Sequence, residues 1–182
     1  MKDKEEDIVA RLHDSATAYA AFSEVVREYS EQLYWQIRRM VSDHEDTNDL
    51  LQNTFMKAWA GLDSFRGDAR LSTWLYRIAF NECLTFLSRK KSERLLSIDD
   101  EETSDAGKLE SDPYFNGDYA QRLLQESIGT LPARQRMVFI MKYFEEKKYE
   151  EISEIVGTSV GALKASYHHA VRKIEKYIEE RL

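Results

Sequence analysis

Tyr149–Ile174, YEEISEIVGTSVGALKASYHHAVRKI, is the stretch that decides the fold. It predicts two helices joined by a three-residue turn. The first is short, Tyr149 to Val156. Gly157 tolerates the left-handed backbone that ends a helix, and Ser159 is placed to cap the next one. In the second helix Val160, Leu163, Tyr167, Ala170 and Ile174 recur every three or four residues and line one buried stripe. The opposite face carries Gly161, Lys164, Ala165, His168 and Arg172. Small residues let a backbone sink into the major groove, and cations meet phosphates or guanine edges. The same pattern also suits an ordinary helical hairpin with a solvated face. A DNA-binding helix-turn-helix is the reading carried forward. The adjacent His168 and His169 point in different directions on a helix, so no shared metal ion is expected, and no cofactor is expected elsewhere.

The chain has 182 residues, enough for one large domain or two small ones. Seven Gly and two Pro favour helices over turn-rich sheet. No apolar run approaches the roughly 18 residues of a membrane span, and the charged start MKDKEEDIVARLHD lacks a signal-peptide core. A cytoplasmic protein without membrane insertion is expected. The lone Cys83 excludes an internal disulfide and a Cys-based zinc site. Its neighbours Phe80, Leu84 and Leu87 suggest a buried structural thiol.

A net charge of −7 is unusual for a DNA binder, but it is unevenly spread. Residues 1–95 hold 14 Lys/Arg and 16 Asp/Glu, a balance of −2. Residues 96–118 hold one Lys and eight acids, −7, and residues 119–182 hold 11 bases and nine acids, +2. Neither end is strongly basic, so the chain is expected to bind DNA weakly alone and to need a larger partner for much of the grip.

Upstream, residues 5–40 read as two helices, with Phe22, Val25, Val26, Tyr29, Leu33, Ile37 and Met40 on one stripe. In DHEDTNDLLQNTFMKAWA, 43–60, the acids and Thr47 suit a helix N-terminus. Leu51, Phe55, Ala58, Trp59 and Leu62 form the expected core stripe. Asp49, Gln52, Asn53, Met56 and Ala60 form a second face that fits either solvent or a partner helix. Residues 61–73, GLDSFRGDARLST, are a loop with turn-forming Gly, Asp and Ser. Phe65 between cations can stack on an unpaired base, or it can tuck into the core. Residues 72–91 form a long helix, capped by Ser72 or Thr73 and apolar on most sides. Asn81 interrupts its apolar run, as a bonded core amide or as a reader of a base edge. The helix ends in Arg89, Lys90, Lys91 and Arg94, a solvated C-terminus or a clamp on a phosphate backbone. Residues 96–118 read as a flexible acidic linker. Two helices then follow over 119–144, with a break at Gly129 and a restart at Leu131-Pro132. The fold expected is all-α: two small helical domains, 1–95 and 119–182, with the helix-turn-helix in the second.

Three stretches resemble a bacterial sigma factor of the sigma-70 family, in its compact extracytoplasmic-function (ECF) group. EDTNDLLQNTFMKAW resembles the region 2 motif that docks on the clamp helices of the RNA polymerase beta-prime subunit. LDSFRGDARLSTWLYRIAFNECLTFLSRKK resembles the promoter-melting segment. LPARQRMVFIMKYFEEKKYEEISEIVGTSVGALKASYHHAVRKI resembles region 4. Their order, and the lack of regions 1.1 and 3, match the ECF group. The resemblance implies polymerase docking by Asp46, Asp49, Leu50, Gln52, Asn53, Met56 and Lys57. It implies capture of the −10 element by Phe65, Arg66, Gly67, Asp68, Ala69, Arg70, Thr73, Trp74 and Asn81, with Arg89 and Lys90 on the backbone. It implies −35 reading by Ser159, Gly161, Ala162, Lys164, Ala165, His168, His169 and Arg172.

Its implied partners are core RNA polymerase (beta-prime clamp helices and beta flap), promoter DNA and an anti-sigma factor. Ser166 and His169 stand where the family commonly carries Arg, which implies a weaker or more polar −35 grip. Asn48 stands where an acid is more usual. Such a chain is no enzyme itself: it lends promoter specificity and melting to the polymerase. A linker of 23 residues reaches at most roughly 80 Å, enough for the spacing of two promoter elements. The alternative is a stand-alone helix-turn-helix regulator, which would leave the docking face and the loop unused.

Overall fold

The structure, a computed structural model, describes the backbone of residues 2–96 and 119–182 and the side chains of 5–93 and 119–182. Among these residues all regular structure is helical. Helices α1 (Lys2–Leu12), α2 (Ala18–Val41), α3 (His44–Ala60) and α4 (Leu71–Leu96) make the N-terminal domain, with a 3-10 turn at Leu62–Ser64. Helices α5 (Tyr119–Gly129), α6 (Ala133–Tyr143), α7 (Tyr149–Val156) and α8 (Val160–Glu179) make the C-terminal one. The acidic linker lies, apart from Leu96, outside the described residues.

The N-terminal domain follows its periodicity with local corrections. Val25, Leu33, Ile37 and Met40 of α2 are buried, and Phe22, Val26 and Tyr29 are half-buried beside them. Helix α2 is closed by Ser42 in the left-handed region (φ 61°), and the next residue, Asp43, is already the N-cap of α3. The Asp43 carboxylate accepts from the Asp46 N–H at 3.0 Å, capping the helix. The buried side of α3 is Thr47, Leu50, Thr54, Phe55 and Ala58. Of the expected stripe Phe55, Ala58 and Leu62 are buried, but Leu51 is only half-buried and Trp59 is 44% exposed. The cap of α4 also differs from expectation. The helix starts at Leu71, whose N–H is bound by the Glu5 carboxylate of α1 at 2.6 Å, so Ser72 and Thr73 lie inside the first turn.

In the C-terminal domain Gly129 ends α5, and Pro132 sits at the N-cap of α6 (φ −54°, ψ 140°), just before its first turn. The helix-turn-helix forms as the opening stretch predicts. Gly157 is left-handed (φ 69°) and the Ser159 hydroxyl accepts from the Ala162 N–H at 3.4 Å. Leu163, Ala170 and Ile174 are buried. Tyr167 stacks on Phe139 at 5.8 Å.

The two domains pack together into one continuous apolar core. Helices α2 and α4 meet α5, α6 and α7. Buried polar groups cross the seam. Gln125 donates to the Arg39 carbonyl at 3.2 Å and to the Ser42 hydroxyl at 3.3 Å. Gln36 Nε2 lies 3.4 Å from the Met137 sulfur. Arg39 covers the Phe144 ring at 4.3 Å, and Lys147 covers Tyr76 at 4.1 Å. The Arg136 guanidinium donates to the Met40 carbonyl in the last turn of α2 and to the Gly129 carbonyl at the end of α5. Carbonyls at helix C-termini have no partner within their helix, so a cation there removes a desolvation cost and meets the negative end of the dipole. Arg136→Ala should lower the unfolding free energy by about 3 kcal/mol, the scale of lost hydrogen bonds to a charged group, as read by urea denaturation.

Glu145 sits in the α6–α7 turn against this seam, 3.4 Å from Lys147. Burial raises its carboxyl above the ordinary value, more than Lys147 and Arg39 lower it. The folded chain therefore keeps a proton that the unfolded chain has released, and stability falls as pH rises through that window. Glu145→Gln should flatten the fall; urea midpoints across the mildly acidic range read it.

Candidate functional site

The chemistry-bearing residues fall on three surfaces. The first is the outer side of α3. Asp49, Gln52, Asn53 and Met56 are exposed at helical spacing along one line. Met56 is 61% exposed and continues into Trp59 and Tyr19, whose rings meet edge-on at 6.4 Å. The result is an acid-amide stripe that ends in an apolar patch. Tyr19 and Trp59 were not among the expected contacts. Extending the 49–52–56 line by one step reaches Trp59, a signal that its aromatic character hid. Leu50 does not belong to this face: it is 5% exposed and packs in the core. Lys57 is paired with Glu82 of α4, and Asp46 with Lys90 at 3.4 Å, so two of the expected docking residues tie α3 to α4.

The second surface is the 61–70 loop with the outer face of α4. Gly67 is left-handed (φ 75°), which a side chain at that position would strain. Arg66, Asp68 and Arg70 are exposed, and Ala69 is half-buried. Phe65 is a correction. Only 4% exposed, it stacks on Trp74 with centroids 4.7 Å apart, so in this conformation it has no face for a base. Thr73 is likewise 6% exposed. Asn81 is exposed, which removes the core-amide reading. It lies one turn beyond Arg77 on the same side of α4. Arg89 is exposed beside Glu93 at 3.7 Å, and Lys90 lies over the Phe86 ring at 5.4 Å. Cys83 faces inward on this helix, fully buried, and burial pushes its thiol up to about 12, which leaves it protonated and unreactive.

The third surface is the outer face of α8. Ser159, Gly161, Ala162, Lys164, Ala165, His168, His169 and Arg172 are all exposed. A side-chain carbon added at Gly161 would meet nothing within 4 Å, so the helix start has open space in front of it. The His168 and His169 rings are 6.2 Å apart and tilted. Aromatic contacts among Phe139, Tyr143, Phe144, Tyr149 and Tyr167 hold this helix from behind.

Two family models cover the regions that carry these surfaces: Sigma-70 region 2 matches residues 25–93, and Sigma-70 region 4 matches residues 121–174. The ECF RNA polymerase sigma-E factor of Haemophilus influenzae is 30% identical over 168 residues, 87% of this chain and 88% of that one. The chain belongs to the sigma-70 family, in its ECF group. The ECF RNA polymerase sigma factor SigW of Bacillus subtilis is 28% identical over 169 residues, 88% of this chain and 90% of that one. Among solved structures, the sigma factor RpoE of Bartonella quintana, in complex with the anti-sigma factor NepR, superimposes with a TM-score of 0.69. It is 24% identical and covers 87% of this chain and 96% of that one, a likeness of fold.

Within this sigma factor the region 2 match spans most of α2 and all of α3, with α4 as far as residue 93; the exposed α3 stripe and the loop face lie in it. The region 4 match contains the helix-turn-helix. Phe65 separates surface from core function by experiment. As a core residue, Phe65→Ala should cost about 3 kcal/mol of stability in the free protein. A surface loop residue would change stability by less than about 0.5 kcal/mol.

Proposed function

We propose that this sigma factor directs promoter-specific initiation by holding core RNA polymerase with one face and promoter DNA with two others. The α3 stripe of Asp49, Gln52, Asn53 and Met56 docks on the beta-prime clamp helices. Lys57 and Asp46 set the α3–α4 geometry behind it. The open face of α8 reads the −35 element as duplex: Gly161, Ala162 and Ala165 allow close approach, and Lys164 and Arg172 meet phosphates or base edges. Arg66, Asp68 and Arg70 of the loop, with Asn81 on α4, hold the −10 element once its strands part. Capture of an unpaired base offsets an unpairing cost of a few kcal/mol. On this reading residues 1–95 form the region 2 domain, 96–118 the linker and 119–182 the region 4 domain, which also holds the beta flap. An anti-sigma factor controls access to these faces, and the chain works in the cytoplasm without chemistry of its own.

The observation that supports this reading most is the presence of two separate exposed faces, the α3 stripe and the α8 face, on different domains. A stand-alone helix-turn-helix regulator has no use for the first. In transcription with purified core polymerase, Asn81→Ala should reduce open-complex formation while core binding is unchanged. Gln52→Ala with Met56→Ala should weaken core binding itself. Tight promoter binding by the free chain, insensitive to core, would replace this reading with the stand-alone regulator.

A further inference from the structure

The start of α4 is capped from outside its own neighbourhood. The first N–H groups of a helix have no partner within it, and a short polar residue just before the helix ordinarily supplies one. Here the Leu71 N–H is met by the Glu5 carboxylate of α1 at 2.6 Å, from 66 positions earlier in the chain. A carboxylate at that end is favoured by the helix dipole as well as by the bond itself. One turn further along α1, Val9 lies against the loop: a side-chain carbon built on Gly67 would stand 3.7 Å from its Cγ1. So α1 meets the loop at two points, at the left-handed Gly67 and at Leu71, where the loop becomes helix. Exposed Arg66 and Asp68 flank the first point, and exposed Arg70 precedes the second.

Helix α1 is itself held on α2. Ile8 and Leu12 are buried in the core. Arg11 reaches both oxygens of Glu24 on α2, at 2.9 and 2.7 Å, and the Thr17 hydroxyl donates to the Arg11 carbonyl at 2.8 Å. Yet α1 lies wholly outside the region 2 match, which begins at residue 25.

We propose that Glu5 is a positioning residue for −10 capture: from an α1 seated on α2 it fixes the end of the loop, so that Arg66, Asp68 and Arg70 meet the separated strand already arranged. The inference rests on the assignment of that loop to −10 DNA. A loop that is ordered beforehand loses less freedom when it closes on a ligand, and the difference appears as faster and tighter capture. The α3 stripe and the α8 face lie on other helices, so core binding and −35 reading are independent of Glu5.

The test uses holoenzyme assembled from core polymerase and the full chain, with the chain saturating, on a promoter fragment that the wild type transcribes. Two quantities are read. One is the rate at which a fluorescent base in the −10 segment unstacks. The other is the preference for a single strand bearing that segment over one in which it is scrambled. Glu5→Ala should lower both about tenfold, the scale of one lost hydrogen bond to a charged group. Glu5→Gln keeps an oxygen to accept from Leu71 and should stay within about threefold of wild type, since only the charge assistance is lost. Val9→Ala withdraws the contact at Gly67, leaves the Glu5 bond, and should move both readings in the same direction as Glu5→Ala. Core affinity, and binding to the duplex promoter before melting, should be unchanged in all three.

A wild-type rate and preference in Glu5→Ala would overturn the proposal, as would a Glu5→Gln variant as impaired as Glu5→Ala. Core affinity that falls in step with strand capture would show a merely structural role and overturn it too. The −10 assignment of the loop has its own test in Arg66→Ala with Arg70→Ala. If that variant keeps the wild-type rate and preference, the assignment fails and the proposal falls with it. If that variant is impaired and Glu5→Ala is not, the proposal alone falls.

Discussion

The Arg136 guanidinium is the interaction on which the arrangement depends. It joins the last turn of α2, through the Met40 carbonyl, to the end of α5, through the Gly129 carbonyl. Both groups are helix C-terminal acceptors with no partner inside their own helix. Burying them at an apolar seam would be costly without a donor. One side chain supplies that donor for both, and so fixes where the second domain sits on the first. The other crossings then fall into line: Gln125 on the Arg39 carbonyl, Arg39 on Phe144, Lys147 on Tyr76 and Arg77 on Glu154. Most use an amide or a cation against a carbonyl or a ring. They sit around an apolar core that runs continuously through both domains.

The helices and the recognition face were legible in the sequence because they obey a single period. In α8 every buried position is apolar or small and every outward one is polar or small, so the two faces separate cleanly. Helix α3 was harder. Its core line includes Thr47 and Thr54, which look like surface residues. Their hydroxyls turn back onto the Asp43 and Leu50 carbonyls, one turn earlier, and leave only methyl groups to pack. With those positions disguised, Leu51 and Trp59 were read into the stripe beside Phe55, Ala58 and Leu62, and Leu50 was left out of it.

Phe65 shows the opposite ambiguity. An aromatic among Arg, Gly and Asp fits a nucleic-acid loop and a core anchor equally well, and its neighbours in sequence do not decide. Trp74 decides, nine residues later and on a different element, by offering a ring to stack on. The cap of α4 has the same character, since its donor's partner is Glu5 of α1. The packing of the two domains was the least legible feature. Its markers are Gln36, Gln125 and Arg136, polar residues that carry no period and find their partners about 80 to 100 positions away.

These two kinds of legibility correspond to two kinds of function. The exposed faces of α3 and α8 are local and periodic, so they follow from the helices that carry them. Where those faces sit relative to one another depends on the contacts between domains. Across the seam α7 answers Arg77 with a helix-end carbonyl, and Glu151 and Glu154 line one cleft with Arg70, while the outer faces of α8 and α3 stay exposed.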